Sequence, residues 1–242
     1  MTVEILDSKR LVAAVAAFKD SSACRERLVQ TNFCAFARVV LGHLLRERPV
    51  WEERDLTALI AVFKCPKDVD KFVGRRFERN LDKLGFSTEI HNKILDEFRT
   101  LQQKGEVVGY TGVGKGGIVG LSPQEVSKVR EFFKSLYEAA SFAAVRKAVE
   151  VYTAAGIPQV TEGIYSPWAH YLQPGFCPII NKRSRGFLKE IEVSWENYAE
   201  LMDVFGAMGK KFGMEDLGLV DEFIKDEHTW RRTLTDIVRV RK

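Results

Sequence analysis

The chain has 242 residues, of which 45% are hydrophobic and 29% charged, enough apolar content to bury a core in one or two domains and to exclude a disordered tail. Its formal net charge of +4 is compatible with an acidic partner such as nucleic acid without demanding one. Cys24, Cys34, Cys65 and Cys177 lie far apart with no C-x-x-C pair, and the four histidines form no His-x-x-x-His pattern, so no metal, cofactor or disulfide framework is expected.

Leu11, Val12, Val15 and Phe18, followed by Leu28, Phe33, Phe36, Ala37, Val40, Leu41 and Leu44, recur at helical spacing. Residues 2–47 therefore read as two helices separated by Asp20-Ser21-Ser22. No apolar run approaches the roughly 18 residues of a membrane span, and the charged start lacks a signal-peptide pattern, so a cytoplasmic protein without membrane contact is expected. Residues 52–63 read as a third helix, closed by Pro66.

Residues 66–84 carry Val69, Phe72, Val73, Phe77, Leu81 and Leu84 as an apolar stripe, and Lys67, Lys71, Arg75, Arg79 and Lys83 as a continuous i+4 row. At about 1.5 Å per residue such a row spans roughly 24 Å, long enough to follow several phosphates. Asp68, Asp70, Glu78 and Asp82 lie beside it and offer the alternative of an ordinary ion-paired face. Gly85 ends this helix, and Ser87 caps another that buries Ile90, Ile94, Phe98 and Leu101.

The period then changes. Two short apolar runs within 106–121 flank the glycine-rich segment 111–117 and read as a β-hairpin with Lys115 at its tip. Helices followed by a basic-tipped hairpin give the order of parts of a winged-helix module. Ser122-Pro123-Gln124-Glu125 is a helix start with a capping box, and the helix it opens breaks near Ser141 and resumes to about Gly156. A domain boundary is placed there, giving a winged-helix-like part over 1–138 and a helical part over 139–242. The expected fold is thus mainly α, a helical bundle with a short central β-hairpin and a C-terminal helical part.

The densest stretch is 165–188, YSPWAHYLQPGFCPIINKRSRGFL. Ser166-Pro167 reads as the start of a short helix whose Trp168, Tyr171 and Leu172 face inward, stopped by Pro174. Residues 175–180 are too apolar for a surface loop and should run extended and buried. Asn181 then caps a helix whose first turns carry Lys182, Arg183, Arg185 and Lys189, so that backbone N–H groups and cations would both face a phosphate. Ser194 is read as the cap of a helix bearing Tyr198, Leu201, Met202, Phe205, Met208 and Phe212, a last helix follows over 217–224, and the C-terminus is basic.

Gly109 to Lys115 satisfies the spacing G-x-x-x-x-G-K, but Gly116 stands where a nucleotide-binding loop needs a magnesium-binding hydroxyl, and a strand rather than a helix is predicted to follow. The same glycines look like the turn of a helix-hairpin-helix DNA glycosylase, with Lys115 near the place of the catalytic lysine; Asn181, however, stands where that family needs a carboxylate. His170 has no nucleophile at a convincing spacing and reads as a packed histidine, so no catalytic residue is assigned. Residues 165–224, with Leu172-x-Pro174-x-Phe176-x-Pro178-Ile179-Ile180-Asn181, a basic helix, a tyrosine-bearing helix and Asp221-Glu222-Phe223, resemble the DNA-targeting region of McrB-like modification-dependent restriction and defence proteins. That resemblance implies a non-catalytic specificity module for double-stranded DNA, acting with a separate motor or nuclease subunit. A helical protein-interaction domain and a degenerate glycosylase-like enzyme are the alternatives.

Overall fold

Packing is organised around α2 (Ser22–Glu47), which starts where the Ser21 hydroxyl accepts the Cys24 N–H at 3.1 Å and carries a buried face of Phe33, Ala37, Val40, Leu41 and Leu44. A computed structural model describes residues 2–5, 9–63, 73–106, 118–157, 160–225 and 238–241, with side chains described within 9–63, 77–106, 118–157 and 160–225. Against α2 lie α1 (Lys9–Lys19), α3 (Glu53–Phe63), α5 (Thr88–Gln103), α6 (Pro123–Glu138), α8 (Glu162–Leu172) and α11 (Leu217–Lys225). The second rank comprises α4 (Val73–Leu84) on α3 and α5, α7 (Phe142–Ala154) on α6, α9 (Lys182–Glu190) on α11, and α10 (Tyr198–Phe212) on α7 and α11. Contrary to the expectation from the sequence, α2 is long and apolar enough to cross a bilayer by length and composition, though one face of it packs into the core.

Aromatic rings join the helices. Phe133 contacts Trp51, Phe63 and Trp168, while Tyr165 meets Phe132, Tyr152 and Tyr198, and such pairs add about 0.5–1.5 kcal/mol each beyond burial. Helix ends inside this core still need partners for their last carbonyls. Arg38 supplies them, donating to Leu172 O at 2.6 Å and to Tyr137 O, and the Gln173 amide donates to Leu136 O at 2.6 Å and Ala139 O at 3.0 Å.

Mainly helical architecture is as expected, but the winged-helix reading is not. Eleven helices account for most of the described residues, and the one described sheet pairs β1 (Thr2–Ile5) antiparallel with β2 (Val238–Arg241), Thr2 opposite Arg241. Residues 2–5 are thus strand, not the beginning of a helix. Of the expected hairpin, 107–117 lie outside the described residues, and the part read as its second strand is a turn: Gly120 takes φ 89° and donates its N–H to Glu53 at 3.0 Å. Ile118 and Leu121 are buried while Val119 is 73% exposed, so the apolar run that suggested a strand is explained by a turn leading into the Ser122 cap.

Two helix starts also move. The helix expected from Ser166 begins one turn earlier at Glu162, with Pro167 inside it, because the Ser166 hydroxyl accepts the Ile180 N–H at 3.1 Å instead of capping. Asn197, not Ser194, caps α10, accepting the Glu200 N–H at 3.2 Å.

Candidate functional site

The segment expected to run extended and buried is buried from Cys177 to Ile180, whereas residues 174–176 form a turn with Gly175 exposed, and the buried part is tied down by three side chains. His170 Nδ1 donates to Cys177 O at 2.7 Å, Tyr198 donates to Pro178 O at 2.5 Å, and Ser166 receives Ile180 N. Cys177, Ile179 and Ile180 are nearly inaccessible, so this stalk fixes where α9 begins.

Asn181 caps α9 with its carbonyl oxygen, which accepts the N–H groups of Arg183 at 2.8 Å and Ser184 at 3.1 Å; Ser184 Oγ in turn accepts the Asn181 N–H at 2.8 Å. The expectation that these backbone groups are open to a phosphate is therefore corrected: the cap already uses them. Asn181 Nδ2 lies 3.0 Å from both oxygens of Asp221 on α11. Burial pushes the Asp221 carboxyl up to about 7, against the pull of Asn181 and Arg27.

What remains exposed on α9 is charge. Ser184, Phe187 and Leu188 are buried, whereas Lys182, Arg183, Arg185 and Lys189 face outward. Lys182, Arg185 and Lys189 stand at i, i+3 and i+7 on one face and line a cavity of about 690 Å³ whose apolar floor includes Pro167, Ile179, Ile180 and Trp195. Arg185 pairs with Glu162 at 2.9 Å; burial raises the Glu162 pKa, while Arg185 and Trp195 oppose that rise. Lys182, Arg183 and Lys189 form no ion pair among the described residues.

The expected α4 row is only partly described. Lys67, Lys71 and Lys115 lie outside the described residues, and Arg75 falls in α4 with its side chain outside them. Arg79 and Lys83 are exposed on α4. Their acidic neighbours turn toward α5: Glu78 pairs with Arg99 at 3.5 Å and Asp82 with His91 at 3.0 Å. Among the described residues, none of α4 lines the α9 cavity, where the structure gathers Lys182, Arg185 and Lys189.

Beneath the stalk lies a polar cluster the sequence did not disclose. Arg27 on α2 contacts His170 Nε2, Asp216 Oδ1 at 3.3 Å and Gln30 at 2.5 Å, and Asp216 also accepts from Thr31 at 2.5 Å and Gly218 N at 2.7 Å. Burial drives the His170 pKa down to about 4, so the ring is neutral, donates through Nδ1 and accepts from Arg27 through Nε2. For Asp216 burial acts upward, but His170, Arg27, Thr31 and Gly218 outweigh it and hold the carboxyl below its ordinary value. The cluster is a sealed tie between α2, α8 and the approach to α11. The one signal it left in the sequence was polar residues set among apolar ones, Arg27 in α2 and Asp216 before Leu217. Trp195 was missed because it reaches the cavity from outside α9, and Glu162 because it meets Arg185 from α8.

Among the described residues no three of His, Cys, Asp and Glu gather in a metal-binding group. No protein-family model matches the chain, and neither the comparison with curated proteins nor that with solved structures gives a significant match.

Proposed function

We propose that this chain is a non-catalytic nucleic-acid-binding module that grips DNA phosphates through the exposed cations of α9. One observation carries the reading. α9 opens with Lys182 and Arg183, has no acid in its first turn, and leaves both cations without an ion-pair partner among the described residues. Cations at a helix N-terminus oppose the macrodipole, at a cost of about 0.3–1 kcal/mol each, and a bound polyanion reverses the sign of that interaction. Phosphate contacts of this kind supply position and affinity rather than base readout.

Lys83, exposed on α4, is a second, separate contact in this reading. The resemblance of residues 165–224 to the DNA-targeting region of McrB-like proteins supports a place in a prokaryotic restriction or defence system, in the cytoplasm and beside a separate motor or nuclease subunit. The experiment is a salt-titrated DNA-binding measurement on the wild type and on a variant with Lys182, Arg183 and Lys189 neutralised.

A further inference from the structure

We propose that the cavity between α8 and α9 seats one unstacked nucleotide of the bound strand, its base beside Trp195 and its phosphate under Lys182 and Lys189. The inference rests on the nucleic-acid reading above and adds to it the form of the ligand. Three properties of the cavity lead there.

Its volume of about 690 Å³ falls within the roughly 300–1,000 Å³ of sites that enclose a small organic ligand, whereas a phosphate-tracking surface needs no cavity at all. Its lining divides into two chemistries, the partly buried Trp195 with Pro167, Ile179 and Ile180 packed behind the surface, and the cations Lys182 and Lys189 with the Glu162-paired Arg185 between them. A ligand that satisfies both has a flat apolar part joined to an anion, which is the composition of a nucleotide unit. Third, the Asn181 and Glu162 side chains beside it are already committed, which leaves the Thr161 hydroxyl, not used as a cap, on the lining. Asn181 spends its carbonyl on Arg183 and Ser184 and its amide on Asp221, and Glu162 holds Arg185. Such a seat offers contact and stacking with little hydrogen-bond readout, so it accepts a base without regard to its identity and favours strands whose bases are not paired.

Gly163 provides the test. It is exposed on the cavity wall in α8, has no positive φ, and a Cβ built on it meets nothing nearer than Ile180 O at 3.9 Å. Gly163→Leu therefore puts a side chain at the cavity wall without overpacking the core, and replacing a helical glycine favours the helix. The binding of a fully paired duplex, of the same duplex with one unpaired nucleotide, and of a free deoxynucleoside monophosphate is measured for the wild type and Gly163→Leu, with thermal denaturation of both proteins.

The proposal expects the wild type to prefer the unpaired site by about fivefold or more, the lower end of base–aromatic stacking. Gly163→Leu should lose that preference while keeping its affinity for the paired duplex and its melting temperature. No preference in the wild type, or an equal preference in both proteins, overturns it. Monophosphate binding by the wild type but not by Gly163→Leu, with no binding of either DNA, keeps the seat and removes the polymer reading. Absence of all binding removes both.

Discussion

Removing the Arg27 guanidinium is expected to be among the most damaging single changes to this fold. Arg27 is 2% exposed and Asp216 7%, and the guanidinium is the cation that faces both Asp216 Oδ1 and the neutral His170 ring. In Arg27→Met the aliphatic volume stays, but a carboxylate whose neighbours hold it ionised is left in the core without its cation. Breaking one side of a buried pair costs about 3–5 kcal/mol. In a chain of 242 residues each kcal/mol moves the melting temperature by about 2–4 °C, so a fall of roughly 6–20 °C is expected. The assay is thermal and urea denaturation at neutral pH of Arg27→Met, Asp216→Leu and the double variant. Because the desolvation of two charges offsets much of their attraction, the double variant should recover most of the loss. A shift of less than about 2 °C for Arg27→Met, or a double variant as unstable as the sum of the singles, would refute the reasoning. A Cβ at Gly218 would collide with the Arg27 guanidinium, so the same cluster also fixes that glycine.

Two further outcomes concern local structure. Asp221 has its carboxyl raised from 3.8 to about 7 by burial, with Glu222 adding to the rise and Asn181, Arg27 and Lys225 opposing it. Folding therefore favours the protonated acid, and stability present below about pH 4 is lost as pH climbs through 7, by up to about 4 kcal/mol at 1.36 kcal/mol per unit. Asp221→Asn should flatten that decline in urea denaturation between acid and mildly alkaline pH; parallel profiles would contradict the assignment. Ser122→Ala removes the hydroxyl that accepts Glu125 N at 3.3 Å and should cost about 0.5–2 kcal/mol by chemical denaturation, an unchanged midpoint being the contrary result.

Helix boundaries fixed by local chemistry were legible in the chain. Ser87, Ser122 and Asn181 each cap the helix expected from them, and Gly85 ends α4 at φ 62°. A cap needs only residues within one turn, so sequence spacing contains the whole interaction. Features set by distant partners were not legible. The strand Thr2–Ile5 exists because Val238–Arg241 returns beside it, and nothing near residue 2 announces that. Ser166 looked like a cap because its alternative partner, Ile180 N, lies a loop away. Arg27 and Asp216 meet across 189 positions. The cationic face of α9 could be seen in the sequence, but its cavity could not, since Trp195 and Gly163 reach it from other elements and the cap that occupies the helix amides is a matter of geometry. The hairpin reading failed for a related reason: a short apolar run such as Ile118 to Leu121 serves a turn as well as a strand.

The most direct measurement is the slope of log affinity for DNA against log salt concentration, for the wild type and for Lys182→Gln with Arg183→Gln and Lys189→Gln. Each phosphate neutralised contributes about −0.9 to that slope, so the wild type should bind with a clear negative slope and the triple variant with one shallower by about 2 to 3, at an unchanged melting temperature. Binding that does not depend on salt, or a slope the three substitutions leave untouched, would contradict the claim that α9 holds the polyanion.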